Sequence, residues 1–567
     1  MPPACPQYAE NSFPWYDTLP GQSEDCLYLN VWTSELAVTG YDGDEGRKRA
    51  VKLYIHGGGW FTGGANRLGY YEGRLDADEI GVMDPYYIEY MGLVVVTINY
   101  RLGALGFLSS GTDDAPGNAG LHDILTAMKW VHSNIASFGG DPDNIVLFGQ
   151  GAGAIAANFF LTVPSALPLF NKTVLSGATL YTLKALKGVI NEYGDSYDNN
   201  IKLANRLAEA VGCGSSIAEN PKDTVDCLKG VDASSLVRTL ASFSPVFQQP
   251  PNVFMPQFGE DPFAILDGNI PNNDKKQFMF AFTSDEGSYL LTVNNPDIFG
   301  VFGEKDAGID GVQTKSMMTK FLENFPQPDG LAEELLGNLD TEPTVANRKR
   351  VYRAMGHVNT ICPIVYFADD LANGGYTVYV EEKKGNAPYN PWAKWMGGVH
   401  FNNVQLDFLR KAPLVINGQS YNTTDSLFEE SIYNKVYVSR FMYGLTRTTS
   451  SLGNMFFTIT SVDASSLVRT LASFSPVFQQ PPNVFLPQFG KDPFPIVDGN
   501  IPNNDKKQFM FAFTSDEGSY LLTVNNPDVF GVFGEKDAGI DGVQAKSMMT
   551  KCVFSEGGQT KVTLRWK

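Results

Sequence analysis

Residues 144–153, NIVLFGQGAG, limit what this chain can fold into more than any other stretch. The apolar run Ile145-Val146-Leu147-Phe148 has the length of a buried strand, and AIAANFFL beyond the glycines continues as a helix. A strand that becomes a helix within Gly149-Gln150-Gly151-Ala152-Gly153 must bend so sharply that glycine is needed where backbones meet. Such a turn lifts its middle residue, here Gly151, above the edge of the sheet.

The segments before it point to the same architecture. SEDCLYLNVW (residues 23–32) ends in a strand-like alternation, and AVKLYI (residues 50–55) is a second strand that runs straight into His56-Gly57-Gly58-Gly59-Trp60. LVVVTIN (residues 93–99) is a continuously apolar strand, as expected of a sheet covered on both faces. Residues 121–135 are patterned as a helix expected to carry Trp130 and Val131 toward the core. Alternating strands and helices imply a mostly parallel sheet. Three glycines after a strand are a flexible loop, or a backbone whose amides point at a developing oxyanion; the position just before a sharp strand-helix turn favours the oxyanion reading. A turn of the form G-x-S-x-G displays a nucleophilic serine, and Gly151 stands at the serine position.

Composition excludes several classes. The net charge of −19 comes with no lysine or arginine cluster, which argues against nucleic acid or anionic membranes as partners. No apolar stretch reaches membrane-spanning length, and MPPACPQYAENSFPWYD has neither the basic start nor the apolar core of a signal peptide. The six cysteines form no CxxC pair and the five histidines are scattered, so no metal or cofactor is expected. Disulfides in an oxidising compartment are the alternative, with sequons at Asn171 and Asn422 as candidate glycosylation sites.

SEDCLYLNVW, HGGGW, NYRLGALGF (residues 99–107), GNAGLHD (residues 117–123) and FGGDPDNIVLFGQGAG (residues 138–153) together resemble the type-B carboxylesterase and cholinesterase family, colinearly to about Thr446. The resemblance implies an α/β-hydrolase fold with helices on both faces of a mostly parallel sheet, a Ser/His/Glu triad and a gorge-like pocket. It maps the general base to His400 in WMGGVH, the acid to Glu286 in TSDEGSYLL, and the oxyanion donors to the amides of Gly58, Gly59 and Ala152. Gly151 replaces the nucleophile, as in the cell-surface adhesion relatives that have lost it, and Gln150 stands where cholinesterases carry a glutamate that helps hold a cationic substrate. The resemblance also pairs Cys5 with Cys26 and Cys213 with Cys227, and leaves only Cys552 for Cys362.

Both ends depart from the family. The first residues resemble the family some way inside the domain, so the fold is expected to lack its usual N-terminal strands. Residues 231–320 recur as 462–551 with changes only at Met255/Leu486, Glu260/Lys491, Ala264/Pro495, Leu266/Val497, Ile298/Val529 and Thr314/Ala545. The expected organisation is a carboxylesterase-like domain over 1–461, then a partial duplication and short tail over 462–567; the first copy is expected to occupy the slot in the sheet. The expected function is binding, of a small ester or hydrophobic ligand in the gorge or of an extracellular protein partner, by a secreted, catalytically impaired chain. The alternative is a carboxylic ester hydrolase, if Gly151 is a sequence error or a water-based mechanism operates.

Overall fold

The computed structural model describes residues 3–8, 21–33, 48–65, 92–184, 197–243, 254–256, 276–300, 302–323, 325, 330–383 and 392–401, with short strands beyond. Seven strands build the part of the sheet that matters for the site: β1 (Leu29–Trp32), β2 (Arg49–Ile55), β3 (Val94–Ile98), β4 (Gly140–Gln150), β5 (Lys172–Ser176), β6 (Gln277–Thr283) and β7 (Thr377–Lys383). They lie in the order β1-β3-β2-β4-β5-β6-β7. Only β1 is antiparallel; every pair from β3 to β7 is parallel.

The pleat splits each strand between two cores. Val51, Leu53 and Ile55 of β2, Val94, Val96 and Ile98 of β3, Ile145 and Leu147 of β4, and Phe278 and Phe280 of β6 face one side. Helices α1 (Ala119–Asn134), α2 (Ala152–Phe159) and α6 (Cys362–Asn373) cover them. Ala50, Tyr54, Val95, Val146, Phe148, Val174 and Met279 face the other side, under α3 (Ser288–Asn294), α4 (Gly311–Leu322) and α5 (Val345–Gly356). This is why the strand sequences are apolar without alternation: neither face meets water. The expected α/β class holds.

The helix expected at 121–135 forms as α1, but Trp130 does not face the core. Leu121, Ile124, Leu125, Met128 and Val131 make the buried stripe, and Trp130 falls off it, remaining 39% exposed with its ring 6.1 Å from that of Phe138. At 100° per residue a helix cannot bury both 130 and 131 on a stripe centred on 128.

The first copy of the repeated segment supplies β6, between β5 and β7. From the second copy, two strands (Phe509–Phe513 and Tyr520–Val524) pair antiparallel with each other, and a strand at Phe457–Ile459 joins them to β7. Residues 289–293 are helical in α3, whereas the same sequence, YLLTV, is extended at Tyr520–Val524. Asn422 and Cys552 lie outside the described residues.

Lys276, just before β6, is buried, and its Nζ donates to the carbonyls of Leu167 (2.8 Å) and Phe170 (2.6 Å) at the foot of the sheet. Burial lowers its pKa to about 8. The unfolded chain therefore binds more protons than the folded one between that value and the unperturbed lysine value near 10.4, so stability rises with pH across this window. Lys276→Met is expected to reduce the rise between about pH 8 and 10; parallel wild-type and variant melting curves against pH would overturn the assignment.

Candidate active site

The turn between β4 and α2 is held by contacts that tolerate no side chain. A Cβ on Gly149 would sit 2.3 Å from the Gly153 carbonyl oxygen, and one on Gly153 would sit 2.1 Å from the carbonyl oxygen of Ile55 at the end of β2. Gly151 differs. It has φ +53° and ψ −121°, its amide donates to the Ser176 carbonyl at 2.8 Å, and a Cβ there would meet only His400, 3.5 Å from Nε2. The backbone aims position 151 at the imidazole, in a conformation that side chains adopt only under strain.

Glu286 and His400, the expected acid and base, meet from two loops. Glu286 follows the end of β6, is buried, and accepts from the Thr283 amide at 2.7 Å through Oε1. Its Oε2 lies 2.6 Å from His400 Nδ1, and the His400 ring stacks on Tyr289 of α3 with centroids 5.0 Å apart. A buried carboxylate at Nδ1 accepts from the ring N–H there, which keeps the proton on Nδ1 and leaves Nε2 as an acceptor. Nε2 in turn lies 3.2 Å from Gln150 Nε2, so the amide group donates to it. Burial, then the charge of Glu286, raises the pKa of the Tyr289 phenol well above its ordinary value, so it stays neutral.

The glycine loop leaves β2 beside the turn. Gly58 has φ +113° and its carbonyl accepts from Phe61 and Thr62. The amides of Gly58, Gly59 and Ala152 donate to no acceptor among the described residues. Gln7 clamps the loop from behind: its Oε1 accepts from the Gly63 amide and the Thr62 hydroxyl, both at 2.8 Å, and its Nε2 donates to the Gly63 carbonyl at 2.7 Å. The Cys5–Cys26 disulfide holds the segment that carries Gln7.

The structure thus brings together Gly151, Ala152, His400 and Glu286. The remaining histidines lie elsewhere: His56 stacks on Tyr100, His122 and His132 are on α1, and burial lowers the pKa of His357, at the end of α5, to about 4. The second expected disulfide, Cys213–Cys227, is present, and Cys362 is also disulfide-bonded, to a partner outside the described residues. Asn171 lies just before β5, its Oδ1 accepting from the Ile145 amide at 3.1 Å, and Thr173 of the same sequon is fully buried. No metal-ligating cluster exists among the described residues, and no described helix is long and apolar enough to cross a membrane.

Two participants were missed from sequence. From sequence Gln150 signals only a lost charge, yet it touches His400. Asp285 was passed over in favour of its neighbour Glu286, yet it ties the two loops: its amide donates to the Gly398 carbonyl (3.0 Å), its Oδ2 accepts from the Gly398 amide (3.1 Å), and Arg353 lies 3.5 Å from Oδ1. The acidic pair itself was the available signal, since two adjacent carboxylates on one turn point different ways.

Parallel strands ending in a glycine loop, a sharp strand-helix turn and a loop-borne acid and imidazole define an α/β-hydrolase. The chain belongs to the carboxylesterase family, which it matches over residues 1–442. It is 31% identical to acetylcholinesterase-1 of Trittame loki over 416 residues, 72% of this chain and 70% of the relative. Over 484 residues it is 28% identical to a cholinesterase of Mus musculus, covering 82% of this chain and 73% of the relative. Cholinesterase 1 of Branchiostoma lanceolatum is 31% identical over 392 residues, 67% of this chain and 99% of the relative.

Asp285→Ala leaves the Gly398 amide and Arg353 without this carboxylate, and hydrogen bonds to a charged group are worth about 1.5–3 kcal/mol. A loss of that size is expected in denaturant unfolding; a change below about 0.5 kcal/mol, the scatter of an ordinary surface substitution, would mean the His400 loop is held by other contacts.

Proposed function

We propose that this chain is a catalytically impaired carboxylesterase-like protein that binds a small ester or apolar ligand, in an extracellular or secreted setting. One observation carries the reading: the backbone at position 151 would hold a Cβ 3.5 Å from His400 Nε2, as a nucleophile-bearing turn requires, and there is no side chain to attack with. Gln150 and Ala152 beside it offer no nucleophile. In triad hydrolases, loss of the serine leaves only about 10³- to 10⁴-fold over water, from the oxyanion donors and binding.

His400 paired with Glu286 serves as the residual base, and the amides of Gly58, Gly59 and Ala152 as donors to a carbonyl oxygen. The names of the relatives point to choline esters; the neutral carboxamide of Gln150 offers a cationic group no charge attraction, which favours a neutral ligand here. The disulfides support an oxidising compartment.

Hydrolysis of a short-chain p-nitrophenyl ester tests the reading, with wild type and Gly151→Ser each assayed with and without a serine-directed organophosphate. Turnover only in Gly151→Ser, abolished by the inhibitor, is the expected result. Wild-type turnover that survives the inhibitor and disappears in His400→Ala would replace it with a water-based esterase.

A further inference from the structure

The missing hydroxyl is not the only obstacle at this site. We infer that Gln150 caps the base: its side-chain amide occupies the single acceptor lone pair of His400 Nε2, so that nitrogen is closed to a water or an introduced hydroxyl until Gln150 lets go. This rests on the reading of His400 and Glu286 as base and acid.

The geometry leaves Gln150 little choice. Its side chain is buried at the end of β4, 1% exposed, and its Oε1 lies so close to Gly57 that a Cβ there would be 2.4 Å away. On the opposite side Gly177 leaves the room His400 needs, since a Cβ at 177 would sit 2.7 Å from the ring's Cε1 and 3.5 Å from Gln150 Nε2. Glycines at 57, 151 and 177 thus form a cage in which the amide and the imidazole meet at 3.2 Å. The direction of the bond follows from the other nitrogen. Nδ1 carries its proton toward Glu286, so Nε2 is an acceptor, and only the amide's N–H can satisfy it.

Among the described residues, Glu286 and Tyr289 are the other side chains bonded to or stacked on the ring, and neither reaches Nε2: Glu286 is bonded to Nδ1 and Tyr289 stacks on the face. A serine at 151 would have to take the same lone pair, because its Oγ–H proton must pass to Nε2 as the bond from Oγ to the acyl or phosphonyl centre forms and the leaving group departs. An imidazole nitrogen has one lone pair, so amide and hydroxyl compete. The capped fraction is unreactive.

The test compares Gly151→Ser with the double variants Gly151→Ser/Gln150→Met and Gly151→Ser/Gln150→Ala. Methionine keeps the length of the side chain without an N–H donor, and alanine checks that sulfur plays no part. The rate of covalent labelling by an excess of a fluorophosphonate isolates the step at Oγ. Removing the cap is expected to raise it about three- to tenfold, the factor that one neutral hydrogen bond controls. Equal rates in single and double variants would overturn the inference while leaving the base and acid assignment intact.

A second measurement needs no nucleophile. In the Gly151 background, the ¹⁵N resonance of His400 Nε2, assigned by its loss in His400→Ala, is expected to move on Gln150→Met. An unmoved resonance would overturn the cap. If no serine variant labels at all, the base and acid reading fails, and this resonance still decides the role of Gln150.

Discussion

The site depends on one contact, the seating of the β4–α2 turn against the last peptide of β2. With Gly153 packed on the Ile55 carbonyl and Gly149 on the Gly153 carbonyl, the turn can be no looser and no wider. That contact sets where position 151 points. It also seats the turn against the loop that leaves β2, where a Cβ on Gly57 would lie 2.4 Å from Gln150 Oε1. Close packing between rigid strands does what flexible side chains cannot: it fixes backbone groups to within a fraction of an ångström.

The other half of the site is held differently. His400 and Glu286 come from loops after β7 and β6, and among the described residues no sheet pairing joins those loops. Asp285 does it instead, pairing main chain and carboxylate with Gly398, and Glu286 is steadied by the Thr283 amide. Two adjacent acids divide the work: Asp285 fastens loop to loop, and Glu286 orients the ring. Behind the glycine loop Gln7 plays a comparable part, with every polar atom of its buried carboxamide bonded.

Much of this was legible because it is local. A strand, glycines and a helix in sequence identify the turn, and TSDEGSYLL and WMGGVH point by resemblance to Glu286 and His400, which the structure brings into contact. What failed was what depends on tertiary neighbours. Gln150 and His400 are 250 residues apart, and no spacing rule connects them. The helical pattern of 121–135 predicts both Trp130 and Val131 in the core, but only Val131 lies on the buried stripe and Trp130 stays 39% exposed. YLLTV is the sharpest case: as α3 it packs an apolar face on the sheet, and in the second copy the same five residues run as a strand beside Phe509–Phe513. Local propensity is weak enough there for context to decide.

The φ of +53° at Gly151 has a consequence beyond chemistry. A serine in that conformation carries a standing penalty of about 1–3 kcal/mol, and glycine does not. Against a typical margin of 5–15 kcal/mol, that relief is about as large as one average destabilising substitution. A chain with glycine at the turn can therefore drift further in sequence before it unfolds. The glycine at this turn thus widens the range of neighbours the fold tolerates.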